Sequence, residues 1–160
     1  MVQGKAAFKA LYFIIFILLF HFDAVKKGHD IIFLYLVINM KNEKIYNMPF
    51  GKVYGLLINK ALRKNRTQKE VDELTSWLLG YSEEEINNCL NGEISYGDFF
   101  IKAPKLNPDY LNIKGSMCGV KIEEIEEDLM RKIRCLDKLV DELSKGKTVT
   151  KIKEKYAGHK

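Results

Sequence analysis

The most informative absence in this 160-residue sequence is histidine. The three histidines are His21, His29 and His159, so none lies between Met40 and Gly158. A histidine general base, a Ser-His-Asp triad and most zinc sites need an imidazole ring, and the sequence disfavours all three in that region. We therefore expect neither a metal site nor a cofactor site in the body of the protein.

Cysteine is also scarce. Cys89, Cys118 and Cys135 lie 29 and 17 residues apart, and no two of them form the CxxC pair of zinc ribbons and thioredoxin-like redox sites. A sparse, odd number of cysteines is typical of free thiols in a reducing compartment. The cysteine content therefore predicts a cytoplasmic protein.

A large excess of positive charge is missing as well. The net charge is +5, and residues 40–160 carry 22 Lys and Arg against 19 Asp and Glu. Nucleic-acid-binding domains usually show a clustered basic stripe, so this small surplus disfavours nucleic acid as a partner. With 47% hydrophobic and 29% charged residues, the composition is that of a globular domain and not of a disordered chain.

Residues 1–39 form a hydrophobic extension that we expect to lie outside the core. Two apolar runs, 10–22 and 31–38, are separated by a polar and charged stretch. A membrane-spanning helix needs about 20 apolar residues, and neither run is that long. Joining the two runs into one helix would bury charged residues at the centre of the membrane. A mis-assigned start, with translation beginning at Met40, is the preferred interpretation. A membrane anchor through residues 10–38 and a signal segment stay open, and membrane association follows only if residues 1–39 are expressed.

The apolar periodicity of residues 40–160 predicts a mainly α, single small domain of five or six helices. Residues 50–62 show the spacing of one buried helical face, and Asn47 is placed to cap that helix. Two capping boxes, Thr67–Glu70 and Ser82–Glu85, mark the starts of two further helices. Their ends are predicted at Gly80 and Gly92.

Three further helices are predicted beyond Gly92. A weaker one runs from about Tyr96 to Ala103, and residues 113–120 form a loop or a short extended piece. The longest helix is expected over about Glu123–Lys145, and a short last one over Thr148–Tyr156. Three acid–base pairs at i, i+4 support the longest helix: Glu127–Arg131, Asp128–Lys132 and Asp141–Lys145.

Four stretches of the body resemble a known family. They are YNM at 46–48, TQKEVDELTSWLLGYS at 67–82, APKLNP at 103–108 and CGVKIEEIEEDLMRKIRCLDKLVDELSKGK at 118–147. On these stretches the chain is similar to a family of short bacterial proteins, domain-of-unknown-function family 2200 (DUF2200). The resemblance covers about residues 43–156 and leaves out residues 1–39. It implies no activity, substrate, cofactor or functional residue.

The two helices that follow Thr67 and Ser82 have helix-turn-helix spacing. Ser76, Gly80, Ile86 and Cys89 stand where that motif has small, turn and buried residues. Against DNA binding, the second helix opens with three glutamates at 83–85, which the phosphate backbone repels. The spacing is also common in two packed helices of a small bundle, which is the preferred interpretation.

A basic cluster precedes this helix pair and gives nucleic-acid binding its candidate residues. They are Lys60, Arg63, Lys64 and Arg66. Because cations at the C-terminal end of a helix complement the helix dipole, the cluster also has a purely structural explanation. Helix-turn-helix-like nucleic-acid binding is accordingly the alternative function.

An enzyme is the second alternative, with Cys118 or carboxylates as reactive groups. Lys114 and Lys121 flank Cys118, and nearby cations lower the pKa of a thiol. The acidic run at 123–128 acts in the opposite direction, so a small residue in a packed loop is preferred. The same run offers carboxylates to a divalent cation, but a solvated helix face is the preferred interpretation.

Aromatic residues supply the last candidates. Tyr81 and Tyr110 lie in predicted turns and are the residues that we expect to line any ligand pocket, whereas Trp77 is expected in the core. The sequence does not reveal a ligand. It favours a non-enzymatic binding or interaction module that is able to self-associate.

Overall fold

The structure is a computed structural model that describes residues 36–37, 40 and 42–158. The chain divides into two compact units, Met1–Lys41 and Asn42–Lys160. The interpretations offered above for residues 1–39 therefore concern a segment that lies almost entirely outside the described residues. Within the described part of the chain, no helix has the length and apolar character needed to cross a bilayer.

The second unit is built mainly from helices, as predicted. The helices are α1 (Phe50–Leu62), α2 (Gln68–Leu79), α3 (Glu83–Asn91), α4 (Tyr96–Ile101), α5 (Asp128–Ser144) and α6 (Val149–Tyr156). Between α4 and α5 the chain forms two short 3₁₀ helices, Pro108–Asn112 and Ile122–Glu124, on either side of an antiparallel hairpin. The hairpin pairs β1 (Ser116–Met117) with β2 (Val120–Lys121).

Both predicted capping boxes are present. The backbone N–H of Glu70 donates to Thr67 Oγ1 at 3.2 Å, and the Glu70 carboxylate accepts from the Thr67 N–H at 2.9 Å. Ser82 and Glu85 make the same reciprocal pair at 3.2 and 2.7 Å. Gly80 ends α2 in the left-handed conformation, with φ of 79°. These local signals therefore fix both ends of α2 and the start of α3.

The start of α1 differs from the prediction. Its N-cap is Pro49, which makes no side-chain cap bond, whereas Asn47 lies in a turn two residues earlier. The N–H of Phe50 donates instead to the carbonyl of Ile94 at 2.9 Å. The Phe50 amide is therefore satisfied by a carbonyl from a distant segment, and not by the Asn47 side chain that the sequence predicted as its cap.

The start of α5 also differs, and the difference removes one candidate site. The helix begins at Asp128, because residues 122–124 form a 3₁₀ turn and the Ile122 N–H donates to the Gly115 carbonyl at 3.1 Å. The carboxylates at 123–127 therefore do not share a helix face. The pairs Asp128–Lys132 and Asp141–Lys145 form at 2.6 Å, while Glu127 accepts from the Tyr46 hydroxyl at 2.6 Å.

Stacked aromatic rings form the centre of the core. Phe50 of α1 stacks on Phe99 of α4 with a centroid distance of 3.9 Å, and Tyr81 stacks on the other side at 4.3 Å. The Tyr81 hydroxyl donates to the Phe99 carbonyl at 2.8 Å. Helix α5 covers this core with the buried side chains Ile133, Leu136, Val140 and Leu143. Trp77, which we expected in the core, is only half-buried.

Helix α6 is held against α5 by a buried carboxylate. Glu142 is 5% exposed and accepts hydrogen bonds from Lys147 at 3.0 Å, Lys155 at 2.5 Å and the Tyr156 hydroxyl at 2.8 Å. Buried charges are tolerated when they are paired and hydrogen-bonded in this way. The last helix is therefore fixed by a polar anchor as well as by apolar packing.

We expect Gly80→Ala to destabilise the domain by about 2–4 kcal/mol, because it combines left-handed strain with overpacking. A Cβ at Gly80 would lie 2.8 Å from the Lys105 carbonyl oxygen. Gly146 is a matched control, since its φ is 93° and a Cβ there meets nothing within 4 Å. Gly146→Ala should cost only about 1–2 kcal/mol. Urea denaturation measures both losses, and equal losses would contradict the close approach at Gly80.

Candidate functional site

A small groove lies along α2. Its volume is about 220 Å³, and it is lined by Lys69, Asp72, Glu73, Ser76 and Glu83. The first four residues recur at i, i+3, i+4 and i+7, so α2 presents them on one face. Glu83 is the first residue of α3. The volume is below the roughly 300–1,000 Å³ of sites for drug-sized ligands, so the groove suits a side chain or a small ion.

Asp72 is the buried member of this lining. The residue is 4% exposed, and its Oδ1 accepts from the Tyr54 hydroxyl at 2.7 Å. The Tyr54 hydroxyl also lies 2.9 Å from Thr75 Oγ1, and Thr75 donates to the Val71 carbonyl at 2.9 Å. Helix α1 thus holds the carboxylate of α2 in one orientation through a short chain of hydrogen bonds.

No cation of residues 42–158 pairs with Asp72. The ion pairs nearest to it in the chain are Arg66–Glu70 at 2.8 Å and Lys153–Glu73 at 2.7 Å. Burial raises the pKa of the Asp72 carboxyl, hydrogen bonds from Tyr54 and Gln68 oppose that rise in part, and the charge of Glu83 adds to it. Asp72 is therefore a buried carboxyl that lacks an internal counter-ion in the described chain.

The Tyr54 hydroxyl acts as a fixed donor. Burial, as the main cause, raises its pKa far above the usual value for tyrosine, and the charge of Asp72 contributes to the same rise. The phenol therefore stays protonated at every physiological pH. Its hydrogen bond orients Asp72 without supplying a charge.

The predicted basic cluster lies at the end of α1, and its members differ in their contacts. Lys60 pairs with Asp141 of α5 at 2.8 Å. Arg66 pairs with Glu70 at 2.8 Å and donates to the Lys147 carbonyl at 3.0 Å. Arg63 and Lys64 are exposed. Two of the four cations thus serve the packing of the helices, and two extend into solvent.

Cys118 lies at the tip of the hairpin. With φ of 52° at Cys118 and 82° at Gly119, these two residues form the loop between Met117 and Val120. Consecutive positive φ angles are typical of a type I′ hairpin turn. Cys118 is exposed, so the expectation of a packed loop is wrong.

The two candidate pocket tyrosines are placed in different surroundings. Tyr81 is buried in the aromatic core at 7% exposure. Tyr110 is half-buried; its hydroxyl donates to Asp128 at 3.0 Å, and the Arg131 guanidinium lies over its ring at 5.9 Å. The structure does not bring them together with the groove along α2. Both rings instead fix neighbouring elements of the fold.

The sequence contains one signal for the groove, a charged residue among the apolar positions of α2. The buried positions of α2 include Asp72 and Thr75 among Val71, Leu74 and Leu78. Charged side chains are almost never fully buried without a reason in pairing or function. A carboxylate on the apolar face of a helix therefore indicates a specific pairing or function. Its partner, Tyr54, lies in another helix and is not indicated by the local sequence.

Comparison with known proteins identifies the family. The model of a family described as "Uncharacterized protein conserved in bacteria (DUF2200)" matches residues 44–154. The chain belongs to the DUF2200 family. The resemblance stated from the sequence is thereby confirmed, and the DUF2200 match includes α1–α5, the hairpin and the groove along α2.

A solved structure supports the same assignment. The structure titled "Crystal structure of uncharacterized protein SP1917" is 49% identical to this DUF2200 chain, with a TM-score of 0.72. The match covers 74% of this chain and 97% of the other. A search of curated proteins gives no significant match. Because neither description names an activity, the function of this DUF2200 chain must be argued from its own residues.

We expect Asp72→Asn to change how stability depends on pH. The folded-state pKa of Asp72 lies above its ordinary value of 3.8, so the folded chain holds this proton more tightly than the unfolded chain. Asp72 therefore contributes stability that is complete below its unfolded pKa and is lost as the pH rises through the folded pKa. Asn has no proton to lose, so the unfolding free energy of the variant relative to the native chain should increase as the pH rises from below 3.8 through the folded-state pKa of Asp72.

Urea denaturation across this pH range measures the effect. Asp98→Asn is the control, because the Asp98 side chain of α4 is 47% exposed and has Lys102 as a neighbour at 3.4 Å. Each unit by which the pKa is raised corresponds to about 1.4 kcal/mol. A difference between Asp72→Asn and the native chain that stays constant with pH would contradict the raised pKa.

Proposed function

We propose that this domain is a non-enzymatic binding module whose groove along α2 accepts a cationic group, either a primary amine or a guanidinium. The observation that carries the proposal is the buried Asp72 carboxylate in the groove lining, without an internal cation in the described chain. An unpaired buried charge is costly, and a bound cation would offset that cost. Tyr54 supports binding by holding one carboxylate oxygen in place.

The charge around Asp72 supports the same ligand class. Glu73 and Glu83 also line the groove, so its lining holds three acidic residues, one lysine, Lys69, and one serine, Ser76. Lys153 of α6 pairs with Glu73 at 2.7 Å, which leaves the three acidic residues in excess over two lysines. At an effective dielectric constant of about 20, opposite charges about 4 Å apart attract by about 4 kcal/mol before desolvation is subtracted. The groove should therefore attract cations and repel phosphates or carboxylates.

The size of the groove narrows the choice further. At about 30 Å³ per water molecule, its 220 Å³ corresponds to about seven waters. That space suits an aliphatic ammonium or guanidinium group and is too small for a nucleotide. The ligand is thus a small amine or the end of a basic side chain.

The enzyme alternative receives less support than binding. Cys118 lies in the hairpin between α4 and α5, whereas the groove is formed by α2 and the first residue of α3. No described contact joins the thiol to the buried carboxylate, and Tyr54 stays protonated. We place the binding module in the cytoplasm, which the free thiols of Cys89, Cys118 and Cys135 support.

Isothermal titration of the full chain tests the proposal. Agmatine, which carries a guanidinium and an amine, and 1,5-diaminopentane are the cationic probes, and 1,5-pentanediol is the neutral control. We expect both cations to bind and the diol not to bind. Asp72→Asn should weaken cation binding about tenfold or more. A tenfold loss corresponds to about 1.4 kcal/mol, which is less than the coupling energy of most close charge pairs.

A second pair of variants tests the position of the site. Glu83→Gln removes a charge from the groove lining, whereas Glu84→Gln removes the neighbouring charge of α3, which does not line the groove. Only Glu83→Gln should weaken binding, by a few fold. Equal affinity of the native chain and Asp72→Asn, or binding of the diol as strong as that of the diamine, would refute the proposed function.

A further inference from the structure

We propose that the ends of α1 and α5 form a second binding surface, for the phosphate backbone of nucleic acid. We call it the basic face and define it by six cations: Lys60, Arg63, Lys64, Arg66, Lys145 and Lys147. The first four belong to the end of α1 and the loop after it, and the last two to the turn between α5 and α6. None of these six residues lines the groove around Asp72.

Two contacts join the parts of the basic face, which are far apart in the sequence. Asp141 accepts from Lys60 at 2.8 Å through Oδ1 and from Lys145 at 2.6 Å through Oδ2. Arg66 Nη2 donates to the carbonyl of Lys147 at 3.0 Å. The two loops therefore lie side by side and present their cations on one surface.

The charge surplus of the protein is concentrated on this face. Residues 42–158 carry 20 Lys and Arg against 19 Asp and Glu. The six cations of the basic face meet only three carboxylates: Glu70, Asp141 and Glu142. The rest of the described chain is therefore net negative. The small overall surplus that disfavoured nucleic acid in the sequence thus conceals a clustered basic surface.

Two of the three carboxylates, Asp141 and Glu142, are less exposed than the lysines they pair with. Glu70 differs, since its side chain is 28% exposed and that of its partner Arg66 is 19% exposed. The side chains of Asp141 and Glu142 are 17% and 6% exposed, whereas those of Lys145 and Lys147 are 69% and 43% exposed. Arg63 and Lys64 are exposed as well, and no carboxylate of residues 42–158 forms an ion pair with them. Solvent therefore meets ammonium and guanidinium groups first, and the buried carboxylates screen them only from behind.

The arrangement fits a phosphate backbone better than base-specific recognition. The cations come from the last turn of α1 and from two loops that turn at left-handed residues, Asn65 and Gly146, and no single helix of residues 42–158 carries all six. The glutamates that open α3 belong to a different element and need not approach the phosphates. We infer sequence-independent contacts, in which flexible Lys and Arg side chains neutralise phosphates and release counter-ions.

Fluorescence anisotropy with the full chain tests the basic face. The probes are a labelled duplex of about 20 base pairs and a single strand of equal length, titrated from about 20 to 200 mM salt. About four exposed cations should give a duplex slope of log K against log salt of about −4. The double variant Arg63→Gln, Lys64→Gln should reduce that slope by about 2 and weaken binding to every sequence.

The control double variant is Lys102→Gln, Lys121→Gln, which removes the same charge from exposed residues outside the basic face. It should leave the slope unchanged, and the melting temperature of each variant establishes that it is folded. Absence of binding at about 20 mM salt, equal loss in the control variant, or equal affinity for a poly-glutamate of matched charge would each overturn the proposal. The last outcome would indicate an acidic protein partner. Asp72→Asn should bind the duplex like the native chain, which separates this test from that of the groove.

Discussion

The stacking of Phe50 on Phe99 is the contact on which the rest of the domain depends. Its centroid distance of 3.9 Å brings the first residue of α1 against the middle of α4, and Tyr81 extends the stack to the turn before α3. Aromatic pairs add about 0.5–1.5 kcal/mol to the free energy of burial. Because the stack sets the direction of α1, it also sets where every later residue of that helix lies.

Helix α1 thereby links the core to both proposed binding surfaces. One turn after Phe50, Tyr54 donates to Asp72, which lines the groove. Near the end of α1, Lys60 pairs with Asp141 of α5. This ion pair holds the end of α1, which belongs to the basic face, beside the end of α5. The two surfaces differ in charge and in depth, yet both are positioned by polar contacts of this one helix.

Local signals in the sequence were sufficient for most helices and for few of their tertiary contacts. The capping boxes of α2 and α3 and the glycine after α2 depend on residues within four positions, so they could be predicted. The starts of α1 and α5 could not, because the Ile94 and Gly115 carbonyls that accept from Phe50 and Ile122 come from other segments.

The two proposed sites show the same limit. The sequence showed the basic cluster that begins at Lys60. It could not predict that Lys147 lies beside this cluster, because the contact from Arg66 to the Lys147 carbonyl depends on the tertiary fold. Asp72 was visible as a carboxylate on an apolar face, but periodicity has no means of pairing it with Tyr54 in another helix. The sequence thus identified charges and helices, whereas only the packing showed which charges are buried and which share a surface.

The pairing of α1 with α5 has a consequence for biosynthesis. Lys60 and Asp141 are separated by 81 positions, and closing a loop of that length costs about 4 kcal/mol of chain entropy. At about 5–20 residues per second, a ribosome needs about 4–16 seconds to make that stretch. During this interval the apolar side of α1 lacks its main covering helix. The nascent chain therefore exposes part of the apolar side of α1 until α5 has emerged.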